Sequence, residues 1–169
     1  PGISAHHYGD RMPLGEPTGE KTERVQLLGR LLTGAGVKSQ VKPNLRNEIW
    51  LKLWGNLSFN PVSVLTEGTL VDLASDPGTR RVIRAMMEEA RAVAEALGVS
   101  FAVDADERMD MAAKVGAHRT SMLQDVEAGR PTELDALLGS VIELGRIVQI
   151  STPSLQLVYD LCKFRSRHA

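Results

Sequence analysis

The pattern of apolar and polar positions changes character near Pro43. Before it, glycine and proline are frequent and turn-forming pairs lie close together, which predicts loops and short strands around a single helix. We expect that helix over residues 20–33. Its predicted apolar face comprises Val25, Leu27, Leu28, Leu31 and Leu32. The strands are predicted at residues 5–8, 12–15 and 37–41. The first segment, residues 1–43, is therefore a small α/β piece.

After this point apolar residues recur every three or four positions, which indicates helices. The Asn60-Pro61 step is expected to bend or break the first of them, because proline lacks an N–H group. Asp76 before Pro77 predicts the start of the longest helix. The buried stripe of that helix is predicted as Val82, Met86, Ala90, Val93 and Leu97. Shorter helices are expected at residues 70–74, 105–114, 121–127, 132–149 and from 152 onward. We predict a mainly α domain of six to seven helices over residues 44–169.

Three polar side chains share one stripe of the helix before Pro61. Lys52, Asn56 and Asn60 are spaced four residues apart, and four-residue spacing aligns side chains on one helical face. Most of their neighbours are apolar, including Trp50 and Trp54. A polar group surrounded by apolar residues needs a hydrogen-bonding partner. The stripe therefore predicts a site for a small polar ligand, with the tryptophans as packing residues and cleft wall.

Two segments carry a resemblance to a known family. The run Trp50-Leu-Lys-Leu-Trp-Gly-Asn-Leu-Ser-Phe-Asn-Pro61 resembles the Lys-Leu-x-x-Asn-x-x-x-Asn-Pro signature of the ketopantoate reductases. The segment Ser121-Met-Leu-Gln-Asp followed by Gly-Arg-Pro-Thr-Glu-Leu-Asp135 is similar to a second motif of that family. The resemblance covers roughly residues 9 to 165. It implies the multi-helix C-terminal domain of a dehydrogenase, similar to the C-terminal domain of 6-phosphogluconate dehydrogenase.

The resemblance also implies a reaction, in which NADPH reduces the ketone of a 2-oxo acid. The family's named reaction converts ketopantoate to pantoate, a step towards coenzyme A. By resemblance, Lys52 is the general acid, and Glu133 is a substrate-site carboxylate that also orients it. Asn56 and Asn60 would grip the substrate, and Ser121 would donate a hydrogen bond to its carboxylate. His118 lies just before Ser121, and we interpret it as structural.

The cofactor is expected to bind mainly outside this chain. No Gly-x-Gly-x-x-Gly phosphate loop occurs in the 169 residues, and Met12 is the first methionine. We therefore expect the C-terminal half of a two-domain enzyme, with residues 1–43 as a remnant of the dinucleotide-binding domain. On this interpretation the chain alone does not turn over ketopantoate with NADPH.

Composition limits the other partners. A net charge of −1 gives no field that favours nucleic acid or an anionic membrane, and no apolar run is long enough to span a bilayer. The single cysteine, Cys162, excludes an intramolecular disulfide, and with no signal-peptide pattern it indicates the cytoplasm. His6 and His7 are adjacent but lack a third ligand at suitable spacing, so we predict no metal site. A homodimer is compatible with the resemblance.

Two alternative functions stay open at this point. The first is a related dehydrogenase that acts on another 2-oxo acid, which a substrate panel would distinguish. The second is a helical dimerisation or interaction module that keeps the fold without the chemistry. Absence of a glycine-rich phosphate loop upstream in the parent gene would favour the module.

Overall fold

The computed structural model describes residue 2 and residues 10–168 of the chain. The chain divides into two compact units, of which the first ends at Ile49 and the second begins at Trp50. The strand predicted at residues 5–8, with the two histidines inside it, lies outside the described residues. The division into residues 1–43 and 44–169 stays a prediction.

The first unit contains one helix and two paired segments. Helix α1 spans Glu23–Gly34, which confirms the helix predicted over residues 20–33. The segments predicted as strands at residues 12–15 and 37–41 run parallel but form no continuous strand in the described chain. They are joined by two isolated bridges, Arg11 with Lys38 and Leu14 with Val41.

The predicted apolar face of α1 is largely wrong. Leu27, Leu28 and Leu31 are about half exposed, at 50%, 47% and 61%. The helix instead packs within its unit through Val25 and Gly29, which are buried. A Cβ atom at Gly29 would lie 3.1 Å from the Val41 side chain, so the helix approaches that segment closely. The spacing of apolar residues correctly predicted that this segment is helical. It did not predict which side of the helix packs, which is the side that carries Gly29.

The rest of the chain is helical, which confirms the predicted mainly α class. Seven α-helices follow residue 44 in the described part of the chain, and a π-helical turn, Asp135–Gly139, leads into the sixth of them. They are α2 (Leu45–Thr66), α3 (Leu70–Ser75), α4 (Pro77–Ala96), α5 (Ala105–Ala113), α6 (Ser121–Glu127), α7 (Ser140–Ile147) and α8 (Pro153–His168).

Helix α2 continues past Pro61, so of the predicted bend or break at this proline the break is wrong. With 22 residues it is longer than α4, which has 20, so the prediction that α4 is the longest helix is also wrong. Pro61 is buried, and the hydroxyl of Ser63 donates to the main-chain oxygen of Asn60 at 2.7 Å. Burial of the helix on both sides of Pro61 outweighs the local cost of the missing N–H group.

A large aromatic side chain anchors α2 in the core of the second unit. Trp54 is fully buried, and its indole N–H donates to the main-chain oxygen of Met87 on α4 at 2.7 Å. Its ring centroid lies 4.5 Å from that of Phe101. Helix α4 buries Ile83, whereas Val82, predicted to be buried, is 41% exposed. These contacts fix the rotation of α2 about its axis, and therefore the direction of its polar stripe.

Ion pairs and caps fix the remaining helices. Arg80 on α4 contacts two carboxylates of α5 that lie one turn apart, Asp106 at 3.1 Å and Asp110 at 2.9 Å. Two backbone N–H groups that open α8, at Ser154 and Leu155, donate to the Glu89 carboxylate of α4 at 2.8 and 3.0 Å. Both arrangements tie shorter helices to α4, and Glu89 also satisfies two N–H groups that the start of α8 leaves unpaired.

Two aspartates of the second family-like motif have structural partners. Asp125 pairs with Arg130 at 2.7 Å. Asp135 pairs with Lys163 of α8 at 2.7 Å and accepts from the Tyr159 hydroxyl at 2.6 Å. Lys163 and then Tyr159 lower the pKa of the Asp135 carboxyl below its ordinary value. Both aspartates therefore serve as ion-pair partners in the structure.

Cys162 is buried, as predicted for a small core residue. Burial raises the pKa of its thiol to about 12, which keeps it protonated and unreactive at neutral pH. Within the described residues, no helix is both long and apolar enough to cross a bilayer. The same residues contain no group of three His, Cys, Asp or Glu side chains placed to hold a metal ion.

Candidate active site

The polar stripe of α2 runs from the surface into the domain. Lys52 is exposed, Asn56 is partly buried and Asn60 is 7% exposed. Trp50 and Trp54 face the core instead of flanking the lysine. Each residue turns a helix by about 100°, so Lys52 points about 200° away from either tryptophan. The predicted role of the tryptophans in packing is confirmed, but their predicted role as cleft wall is wrong.

A cleft of about 230 Å³ opens beside the buried end of this stripe. Asn56 and Asn60 contribute the α2 side, and Ser121, the first residue of α6, contributes another. The other lining residues are Gly55, Phe59, Leu70, Arg108, Ala112, Val115, His118 and Thr120. Three of the five predicted site residues therefore share one cleft, although Ser121 is 61 residues from Asn60 in sequence.

The polar side chains of this cleft are available to a ligand. No hydrogen bond joins the carboxamides of Asn56 and Asn60, or the Ser121 hydroxyl, to any residue that the structure describes. Carboxamides offer donors and acceptors without charge, and a hydroxyl offers both. Because polar groups in a partly dry cleft are costly to leave unpaired, the arrangement favours a small ligand rich in oxygen atoms.

A chain of buried hydrogen bonds holds Ser121 against α2. Thr120, 4% exposed, caps α6 by accepting from the N–H of Leu123 at 3.2 Å. Its hydroxyl lies 2.5 Å from the hydroxyl of Ser63, which in turn bonds the main-chain oxygen of Asn60 at 2.7 Å. Since Ser63 donates to Asn60, Thr120 is the donor to Ser63. This network couples the start of α6 to the part of α2 that lines the cleft.

Replacement of Thr120 by valine is expected to destabilise the chain by about 1–3 kcal/mol. Valine keeps the side-chain shape but removes the helix cap and leaves the Ser63 hydroxyl without its donor. Urea denaturation measures the loss. Thr66→Val, at an exposed site of the same helix α2, is the matched control and should change stability by no more than about 0.5 kcal/mol. Equal effects of the two substitutions would show that the buried network contributes nothing.

Lys52 and Glu133 do not line the cleft. Lys52 precedes Asn56 by one turn of α2, a rise of about 6 Å along the helix axis. Glu133 is exposed, just before the buried Leu134 and the π-helical turn. Neither side chain has an ion pair or hydrogen bond within the described part of the chain. Their assignment to a common site with the cleft residues stays a prediction.

Sequence reasoning overlooked Arg108 on α5. Its guanidinium lies in the cleft against Gly55 of α2, where an added Cβ atom would be 3.0 Å from the guanidinium carbon. Because Gly55 has no Cβ atom, it leaves the space that this guanidinium occupies. His118, interpreted above as structural, also lines the cleft. Only the three-dimensional arrangement brings these residues together, because α5 carries no recognisable motif.

A larger concavity, of about 440 Å³, lies within the first unit. Its lining includes Arg11, Lys38 and Lys42 and none of the predicted site residues. Lys38 is paired with Asp10, and Lys42 lies 3.7 Å from Glu48. Two of its three cations are therefore already neutralised, and the smaller cleft is the better candidate for a ligand site.

Comparisons with known proteins show the family and the fold of the chain. A family profile described as "Ketopantoate reductase PanE/ApbA C terminal" matches residues 44–166. The chain is similar to the 2-dehydropantoate 2-reductase of Mesorhizobium japonicum, with 51% identity over 163 residues, which are 96% of this chain and 50% of that protein. The crystal structure of 2-dehydropantoate 2-reductase from Methylococcus capsulatus matches with a TM-score of 0.85 and 34% identity, covering 96% of this chain and 52% of that one.

The fold is also found in more distant relatives. The dimeric ketopantoate reductase of Staphylococcus aureus matches with a TM-score of 0.79 and 21% identity, over 96% of this chain and 56% of that chain. In each of these comparisons the chain spans only about half the length of its relative.

Proposed function

The chain belongs to the ketopantoate reductase family, as its C-terminal domain, and from that premise we propose that it binds substrate and supplies the proton in an NADPH-dependent 2-oxo acid reductase. The proposed reaction is the reduction of ketopantoate to pantoate. The relatives carry that activity in their names, and the transfer to this chain is our inference. The observation that carries it is the convergence of Asn56, Asn60 and Ser121 in one cleft, where their side chains bond no residue that the structure describes.

The cleft suits a 2-oxo acid by the number and kind of its polar groups. Such a substrate presents a carboxylate and a ketone on neighbouring carbons, and pantoate-like acids add a hydroxyl. Ser121 is proposed to donate to the carboxylate, while the two asparagines bond the ketone-side oxygens. Phe59 and Leu70 supply apolar surface for the carbon skeleton. Fixed contacts of this kind hold a reacting group in one orientation, which lowers the entropic part of the barrier.

Lys52 is proposed as the general acid. When bound, the nicotinamide cofactor supplies the hydride, and negative charge then builds on the former ketone oxygen. An ammonium at that oxygen donates a proton and stabilises the charge while it develops. Its place one turn from Asn56 is consistent with a substrate that spans both residues. Glu133 is proposed to orient the ammonium once the substrate is in place.

This chain does not itself fit a complete dinucleotide site. Its residues contain no glycine-rich loop whose N–H groups would cradle a pyrophosphate. We therefore assign the phosphate contacts to residues outside this chain, as expected from the sequence. The choice of NADPH over NADH belongs to the proposal, because the 2′-phosphate would be recognised in that other region.

A substrate panel on the full-length enzyme tests the proposal. We expect NADPH-dependent reduction of ketopantoate, with lower kcat/KM for 2-oxo acids that lack its hydroxyl, because the site's amides would then be left unpaired. The 169-residue chain alone is the control and is expected to show no turnover. Reduction of other 2-oxo acids but not of ketopantoate would show that the substrate is a different 2-oxo acid. No reduction of any 2-oxo acid would favour a non-catalytic helical module.

Two further expectations concern the whole enzyme. A homodimer is proposed by analogy with the dimeric Staphylococcus aureus protein, and sedimentation equilibrium of the full-length enzyme should give twice the mass of one chain. The cytoplasm is the proposed compartment, because the chain's one cysteine is a buried free thiol.

A further inference from the structure

Arg108 has an unusual environment among the arginines that the structure describes. Most arginines of the second unit pair with a carboxylate or bond an oxygen, as Arg80 does with Asp106 and Asp110. Within the described residues, the Arg108 side chain has neither an ion pair nor a hydrogen bond. The other arginines without such a partner are exposed, whereas Arg108 is partly buried in the cleft.

Burial of this guanidinium carries an electrostatic cost. Desolvation lowers the pKa of Arg108 below its ordinary value, and among residues 2 and 10–168 no carboxylate offsets that effect. An arginine still keeps its proton at any pH that matters to an enzyme. The described residues that line the cleft include no aspartate or glutamate. The cleft therefore holds a fixed positive charge whose counter-ion has to come from elsewhere.

We infer that Arg108 binds the carboxylate of the substrate and so selects acids over neutral ketones. This inference rests on the proposed function and names a residue for its carboxylate subsite. A guanidinium presents two parallel N–H donors that match the two oxygens of a carboxylate. Ser121 lines the same cleft and would add a third hydrogen bond. The two asparagines are uncharged, so Arg108 supplies the subsite's positive charge.

Gly55 provides the space in which the guanidinium lies. A Cβ atom at this position would stand 3.0 Å from the Arg108 Cζ and 3.3 Å from its Nε, so alanine would displace the guanidinium. The displaced group is the mobile end of a long side chain, and alanine is a better helix former than glycine. Gly55→Ala should therefore move Arg108 without lowering the melting temperature. Lack of a Cβ at residue 55 thus contributes to carboxylate recognition.

The test compares a charged ligand with a neutral one in the full-length enzyme. Ketopantoate is paired with its carboxamide, which keeps the ketone and removes the charge. Arg108→Gln should raise KM for ketopantoate about 10- to 100-fold, the usual value of a hydrogen bond to a charged group. It should raise KM for the carboxamide much less, because a neutral carboxamide loses only an uncharged hydrogen bond, so the preference for the acid falls. Arg108→Lys should keep part of the preference for the acid, because lysine carries the positive charge but lacks the two parallel N–H donors of a guanidinium.

Two variants separate this role from a structural one. Gly55→Ala should raise KM for ketopantoate with an unchanged melting temperature. Arg81→Gln removes an exposed arginine of α4 outside the cleft and should alter neither substrate's kinetics. Wild-type preference for the acid in both Arg108→Gln and Gly55→Ala would overturn the inference while leaving the reductase activity intact.

Direct binding keeps the inference testable if turnover is absent. Calorimetric titration of the full-length wild type and Arg108→Gln with pantoate, and with its carboxamide, reports the carboxylate preference without catalysis. A preference for pantoate that Arg108→Gln abolishes supports the subsite even if the reductase assignment fails. Equal binding of the two ligands by the wild type would overturn the subsite.

Discussion

Replacement of Lys52 by alanine is expected to lower kcat of the full-length enzyme by about 10²- to 10⁴-fold, the usual contribution of a general acid. The alkoxide that forms on the substrate would have only water to protonate it. The affinity for NADPH should hardly change, because the phosphate contacts are assigned to residues outside this chain. Steady-state kinetics gives kcat, and fluorescence titration gives the cofactor affinity.

Two comparison variants distinguish acid catalysis from simple binding. Lys52→Arg should rescue little, since a guanidinium retains its proton and donates it poorly. Asn56→Ala, one turn further along α2, should raise KM with a smaller change in kcat, because it removes a substrate contact. A Lys52→Ala enzyme with nearly wild-type kcat would identify the exposed lysine as an ordinary surface residue.

Replacement of Trp54 by alanine is expected to destabilise the chain by about 3–5 kcal/mol, the range for large-to-small changes in a close-packed core. The side chain is fully buried, packs on Phe101 and donates to the main-chain oxygen of Met87. Its loss would leave a cavity between α2 and α4 and remove the hydrogen bond that joins the two helices. Denaturant unfolding followed by circular dichroism measures the change in the free energy of unfolding.

Trp54→Phe is the matched variant, because it keeps an aromatic ring and removes the N–H donor. It should cost clearly less than Trp54→Ala, since most of the buried area remains. A small loss in Trp54→Ala itself would mean that α2 is held mainly by its other contacts. The orientation of the polar stripe would then need a different explanation.

The helices were largely predictable because their ends carry local signals. Asp76 and Asp104 cap α4 and α5 through their own side chains, as expected from their positions. Helix α2 continues past Pro61, against the prediction, because burial of the residues around Pro61 outweighs the local tendency of proline to break a helix. The helix cap at Ser154 depends on Glu89, 65 residues earlier, and no local pattern indicates such a distant partner.

The candidate site was predictable only where a motif marked it. Asn56 and Asn60 follow from helical spacing, and Ser121 was assigned through family resemblance. Arg108 lies on a helix without a motif, and it stands out because its partly buried guanidinium has no partner in the part of the chain that the structure describes. Charge and burial of this kind exist only after the helices have packed. The feature of the sequence that relates to Arg108 is Gly55, a glycine inside α2 whose missing Cβ leaves space for the guanidinium.

A crystal structure of the full-length enzyme with pantoate bound is the most direct measurement of the central claim, that this cleft holds the substrate beside Lys52. We predict the pantoate carboxylate within hydrogen-bonding distance, about 3 Å, of Arg108 and Ser121. The 2-hydroxyl oxygen should lie at a similar distance from the Lys52 amine and close to Asn56. Pantoate bound elsewhere, or in this cleft with Lys52 still in solvent and far from that oxygen, would contradict the account.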